Sequence, residues 1–442
     1  MKKVNLTILF SLALAFSSAS LNLQARDFQP GQVQSDYQKQ WATVLDLMQQ
    51  PKLSATSQEK LNFIVDELVD ISAFDPDGLN IAMYAAALGN LEVIIRIDSR
   101  SHSALLQRHP KTGLSLLHFA AQAKGNKGSA ILNWYFKKYS AEALRMVNSR
   151  AFNSKGKGNG HTVAMEAVFT KRIETVKTLL DLSSSASNID FVTPAITGWG
   201  PKTIAEREKL SIAASIPACV VPADQRVAWG IEQDRLYLES ISDAELRASE
   251  ENGIQFLKFV AEGKITEALA MVQASKVSIN GTYGRLQATA LGTVTTTSAN
   301  RTPAEVTLQT RAILDAGADP RVAEGSLMFV HGAFRSAVFG YSDALRFILD
   351  KVEKDHGKAG LVQLLNTRGP ENGVTMGLDA AWRRRADVLQ LWIDRGGDPR
   401  IMSFAGETIL QAMEEWESES KANSTITPPP QELMERIKNF GR

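Results

Sequence analysis

The chain of 442 residues contains a single cysteine, Cys219. No disulfide can form within it, so packing alone must hold the fold. The apolar setting of that cysteine, "SIPACVVP", predicts a buried thiol and not a reactive one. An excess of charge is missing too, since 49 Lys and Arg stand against 48 Asp and Glu. A nucleic-acid partner needs a concentrated basic face, and nothing in this balance suggests one, so no nucleic-acid partner is expected. Arg383-Arg384-Arg385 comes nearest, but it is short, has Asp387 close behind, and reads as a solvated helix face. Catalytic signatures are absent as well: there is no His-Glu-x-x-His, no Walker loop and no Gly-x-Ser-x-Gly elbow. His102 and His109 share one loop, yet two ligands without a nearby carboxylate make a weak zinc site. Glu250-Glu251 and Glu414-Glu415 lie in charged helical runs and read as solvent faces. The glycine-rich "NSKGKGNG" lacks phosphate-loop spacing and reads as a flexible hairpin tip. The chain is therefore expected not to be an enzyme and to hold no cofactor or metal.

Long apolar runs are scarce, and the one present is at the start. Met1-Lys2-Lys3 supplies a positive charge, and Val4 to Phe16 is almost unbroken apolar sequence. Small residues follow, with cleavage expected after Ser20 or Ala25. This is the pattern of a bacterial secretory signal peptide, too short to span a bilayer, which needs about 20 residues. The mature chain is expected in the periplasm or secreted, with no membrane insertion after cleavage.

What is abundant is repetition. Gly78 opens "GLNIAMYAAALGNLEVIIRI", Gly113 opens "GLSLLHFAAQAKG", and Gly160 opens "GHTVAMEAVFTKRIETVKTLL". Gly373 opens "GVTMGLDAAWRRRADVLQLWIDRGGDP", and Gly406, 33 residues later, opens "GETILQAMEE". Each has a small polar residue two places on, then apolar and small residues. The offsets from Gly78 to Ile94, Gly160 to Val176 and Gly373 to Leu389 are all 16. Such recurrence marks stacked units that cannot bury their apolar faces alone. The Thr, Ser or Asn suits a helix N-cap, the alanines let helices approach, and Gly89 and Gly340 suit left-handed helix ends.

These units resemble the ankyrin repeat, a hairpin turn plus two antiparallel helices with a T-P-L-H-x-A core. Ser115-Leu116-Leu117-His118-Phe119-Ala120 sits on it closely. Thr162-Val163-Ala164-Met165-Glu166-Ala167 and Thr375-Met376-Gly377-Leu378-Asp379-Ala380 are weaker copies, and "AILDAGADPRV" and "IDRGGDP" match the second half. The resemblance implies an all-α, helix-turn-helix solenoid in which His118 bridges backbone groups between units. A signal peptide (1–25) precedes an N-terminal helical cap (26–72), its second helix capped by Ser57, and a first array (73–185). An irregular bridge or degenerate repeat (186–250) leads to a second array (251–415) and a polar tail with a short helix (416–442).

Members of that family bind other proteins through hairpin tips and the concave face of their first helices. Carried onto this chain, the hairpin positions are Asp77, Leu79, Lys111, Leu114, Asn159, His161, Asn372 and Val374. The first-helix positions are Leu88, Gln122, Phe169, Trp382 and Arg383. The expectation is a monomeric, exported scaffold whose partner is another protein. In its narrower form it inhibits, or gives immunity against, an envelope enzyme such as a peptidoglycan hydrolase. A secreted effector that meets host or prey proteins is the alternative, and an enzyme with a site in 186–250 is the second.

Overall fold

A computed structural model describes residues 42–50, 54–68, 70–185, 188–296, 301–324 and 331–440. The signal segment and its cleavage sites lie outside them. Every regular element among the described residues is helical, and pairing of extended backbone is limited to isolated bridges at Arg108–Ser115 and Tyr283–Ala288.

The described chain begins with α1 (42–49) and α2 (Ala55–Phe63), which runs into a π-helical turn, Ile64–Leu68. The N-cap of α2 is Ser54, not Ser57, because the Ser54 hydroxyl accepts from the Ser57 N–H at 3.1 Å. Helix pairs follow. In the first half α3 (Ile81–Leu88) turns into α4 (Leu91–Arg100), and a one-turn α5 (Ser103–Leu106) sits in the next loop. Then α6 (Leu116–Gln122) pairs with α7 (Lys127–Lys138), extended by α8 (Ser140–Val147), and α9 (Val163–Phe169) pairs with α10 (Ile173–Ser184). The stretch read as a bridge supplies α11 (Pro201–Arg207), a 3-10 turn at Ser211–Ser215, and α12 (Arg226–Glu239).

The second half repeats the scheme. Its pairs are α13 (Ala244–Ala261) with α14 (Ile265–Gln273), α15 (Ala290–Val294) with α16 (Pro303–Asp315), and α17 (Gly332–Phe339) with α18 (Ser342–Leu365). They end with α19 (Met376–Trp382) and α20 (Ala386–Asp394), then α21 (Ile409–Ala422) and α22 (Gln431–Lys438). The expected boundaries at 250 and 415 fall inside α13 and α21. The polar tail is not separate, since Trp416 is buried and its indole donates to the Thr427 carbonyl at 2.7 Å.

First helices touch in sequence order: α3 on α6, α6 on α9 and α9 on α11, then α13 through α15, α17 and α19 to α21. Second helices line up behind them, α4–α7–α10 and α14–α16–α18–α20. Helix α11 thus continues the first row, which makes residues 194–215 a shortened unit. Local chemistry explains the starts of these helices. Side chains of Asn80, Thr162, Thr289, Thr375 and Thr408 each accept from a backbone N–H three residues on. Each such cap is worth about 1 kcal/mol. Close approach is secured by alanines at 85–87, 120, 121, 380 and 381, all fully buried. Gly377 and Gly397 do the same for Trp392, whose ring would lie 2.6 and 2.2 Å from a Cβ at those positions.

Each half has its own apolar core, with one exception. Phe404 belongs to the hairpin before α21, yet it packs in the core of the first half. Cys219 is half-buried, not buried as its sequence setting implies; its Sγ fills the space that a Cβ on Gly200 would need.

Candidate functional site

The two arrays close on each other along the face where binding residues are expected. Phe404 inserts between Tyr84 and Phe119, with ring centroids 5.4 and 6.5 Å away. Arg368 lies over the Phe404 ring at 5.1 Å and pairs with Asp77. The Asn159 amide donates to Glu371 Oε1 at 2.6 Å, and the Gln122 amide to the Glu371 carbonyl at 3.1 Å. Arg172 meets Glu407 at 2.8 Å. At the other end Lys157 pairs with Glu250 at 2.8 Å, the Gly158 N–H donates to the Arg285 carbonyl, and Arg285 lies over Phe152. The "NSKGKGNG" tip is therefore docked on the second array and not free.

This seam decides where the expected residues stand. Leu79, Leu114, Gln122, Asn159, Asn372 and Val374 are buried. Asp77, Leu88, His161, Phe169, Trp382 and Arg383 are half-buried, and only Lys111 is exposed. Leu79 and Leu114 pack in the first half's own core and Val374 in the second's, whereas Gln122 and Asn159 are covered by the closed arrays. Their closure was hidden from the sequence because Glu371, Arg368 and Phe404 act across more than 200 residues of chain. One signal was visible: "SFAG" puts an aromatic on a hairpin tip with nothing local to cover it.

Two buried carboxyls near the seam, Glu371 and Glu166, are shifted in opposite directions. Burial, and then the neighbouring Glu166, pushes the Glu371 carboxyl well above its ordinary range, so it stays neutral. Burial also works against Glu166, but the His161 ring at 2.8 Å and the Gln122 amide hold that carboxyl below its usual value. One carboxyl is neutral and the other ionised, as expected where two cannot share a dry site as anions.

The histidines are structural. His118 Nδ1 accepts from the Ser115 N–H at 3.2 Å, while Nε2 reaches the His161 carbonyl of the next unit at 3.1 Å. His109 takes the Thr112 N–H and bonds the Asp77 carbonyl at 2.9 Å. Burial lowers both to about 4. His102 bonds Asp98 and Glu142 at 2.6 and 3.0 Å, so it does not converge with His109. Among the described residues no three His, Cys, Asp or Glu side chains are placed to share a metal ion.

Where the first helices of both arrays end, the seam opens into a cleft of about 910 Å³. Its floor and walls include Phe169, Trp382 and Arg383 of the expected set, together with Arg172, Glu208, Asp379 and Glu407. Burial raises the Asp379 carboxyl, opposed by Arg383 at 2.8 Å. Burial also opposes ionisation of Glu208, yet Arg207 and Lys171 hold it below its ordinary value. Five of the seven cationic side chains on the cleft, Lys171, Arg207, Lys209, Arg383 and Arg384, lie at or within two residues of the C-terminal end of α9, α11 or α19, the positions that the macrodipole favours for positive charge, while Arg172 and Arg385 are the N-caps of α10 and α20. Such a mixture of guanidinium, ammonium and aromatic groups is suited to gripping anionic and apolar groups together. Compared with known proteins, the chain matches no family model and no curated relative.

Proposed function

We propose that the chain is an exported, ankyrin-type scaffold that binds another protein in the periplasm. The observation that carries this reading is the stacking of helix pairs into two ordered rows, with α3, α9 and α19 each opened by a polar N-cap and joined to its partner helix by a tight turn. Side chains repeated on such a rigid frame lose little freedom on binding, which favours recognition over chemistry. Because the seam occupies much of each array's inner face, the partner meets the cleft, where Phe169, Trp382 and Arg383 remain half-exposed. The narrower form of the proposal is restraint of an envelope enzyme such as a peptidoglycan hydrolase, whose substrate cleft the scaffold would block. Affinity capture from envelope extract with the mature chain tests it. A stoichiometric protein partner is expected, with about 30-fold weaker capture by Trp382→Ala, as for a hot spot of about 2 kcal/mol. Recovery of the chain only outside the cell, or turnover of a small molecule with no partner, overturns the reading.

A further inference from the structure

Six first helices of the two arrays end in the same way. At Gly89, Lys171, Lys209, Gly263, Gly340 and Arg384 the backbone N–H bonds a carbonyl three residues back, and the next N–H bonds one five back. This closure requires a left-handed residue, and all six have φ between 55° and 76°. Glycine adopts that conformation without strain, whereas an L side chain does so rarely. Three positions carry glycine, and three carry a long cation. The three cations, and none of the three glycines, line the single cleft described above.

The helix dipole does not account for this choice at Lys209 or Arg384. A cation near a helix end is favoured, but Arg207 and Arg383 already supply one to α11 and α19. Nor do ion pairs consume the charges fully. Lys171 is exposed and sits 3.5 Å from Glu208, Arg384 pairs with the exposed Glu419, and Lys209 makes no ion pair among the described residues. Backbone strain is thus spent on placing positive charge around one opening, beside the half-exposed Phe169 and Trp382.

The geometry points to a ligand for this cleft: a short acidic segment of the protein partner, its carboxylates on Lys171, Lys209 and Arg384 and its apolar side chains on Phe169 and Trp382. This deepens the protein-binding reading and rests on it. A uniform polyanion such as a sulfated glycan is less suited, because Glu208, Glu415 and Glu419 share the lining and would repel it. A peptide can alternate carboxylates with neutral residues and avoid them.

Fluorescence anisotropy of the full mature chain with a fluorescein-labelled peptide of alternating glutamate and tyrosine tests this. Salt-sensitive binding is expected, with none to the lysine–tyrosine counterpart. The triple variant Lys171→Gly, Lys209→Gly, Arg384→Gly is expected to weaken binding tenfold or more while its thermal midpoint holds or rises. The triple glutamine variant, which keeps the side-chain strain and removes only the charge, is expected to lose binding equally. Unchanged binding in either variant overturns the proposal, as does binding of sulfated dextran in preference to the peptide. A captured protein partner held equally by wild type and both variants would overturn the cleft alone and leave the scaffold reading standing. Peptide binding that follows the expected pattern, with no partner captured, would do the reverse.

Discussion

The first array fastens its neighbouring hairpins with imidazole and guanidinium groups, whereas the second relies mainly on an indole, amides and a buried ion pair. His109 and His118 each tie one unit's backbone to the next, and Arg108 and Arg150 donate to the Arg150 and Pro194 carbonyls of the segments that follow. In the second array the Trp392 indole donates to the Leu365 carbonyl at 3.0 Å. Asn280 and Asn366 accept the N–H groups of Asp319 and Asp398 at 2.7 and 2.8 Å. Glu324 joins Thr289 to Arg335, filling the space left by Gly292. Only His331, bonded to the Leu364 carbonyl, repeats the device of the first array. The same helix pair can therefore be cemented by imidazoles, whose protonation changes between the folded and unfolded chain, or by an indole and amides, which do not titrate.

The largest expected consequence is a difference in acid sensitivity. Burial lowers His109, His118 and His331 to about 4, while an unfolded histidine titrates near 6.5. Between those values the unfolded chain binds more protons, so stability falls as pH drops from about 6.5 to 4. Each histidine contributes a loss of about 3 kcal/mol across that window. Two of them burden the first array and one the second; Asp75, whose carboxyl burial raises, offsets part of the loss in the first. Hydrogen exchange near pH 4.5 should show α3 and α6 losing protection before α19 and α20. Simultaneous loss would mean that the seam makes both arrays one cooperative unit, and the comparison would fail.

Single substitutions sharpen it. Phe404→Ala empties a ring from between Tyr84 and Phe119 and should cost about 3–5 kcal/mol, read as a lower denaturant midpoint. The loss should fall on the first array, although the residue belongs to the second. His118→Ala strands the Ser115 N–H and the His161 carbonyl and should cost about 3 kcal/mol at neutral pH. Its cost should shrink towards pH 4, where the wild-type ring is itself a burden. Trp392→Phe removes one indole bond and a little volume, so about 2 kcal/mol is expected, with no dependence on pH.

The units themselves were legible because their signals are local. Asn80, Ser115, Thr162, Thr375 and Thr408 cap helices where the repeat pattern places them, and Gly78, Gly113, Gly160, Gly373 and Gly406 all have positive φ. The segment at α11 was harder, since Gly200 stands at its N-cap in place of a Thr, with Pro201 as the first helical residue, and a 3-10 turn follows where a second helix is expected. His331 caps α17 by accepting the Phe334 N–H, a role usually filled by a small polar residue. The seam was illegible for a different reason. Its bonds join Gln122 and Asn159 to Glu371, and nothing in either stretch differs from an ordinary hairpin or helix surface. Side chains that look free by pattern are buried by a partner surface from the same chain.

A last substitution tests what holds that surface shut. Glu371 is neutral in the folded chain but ionises once unfolded, so its raised carboxyl costs stability as pH climbs above about 4.5. Glu371→Gln keeps an oxygen for the Asn159 amide and leaves the backbone carbonyl for Gln122, yet has no proton to lose. The variant should be as stable as the wild type near pH 4.5 and more stable at pH 7. The gain should be read as a flatter stability–pH curve between those values in urea melts at fixed salt. A destabilised variant at pH 7 would mean that the ionised carboxylate is what the seam needs. Glu371 would then pair with a cation, and the division of labour between it and Glu166 would be the reverse of the one described.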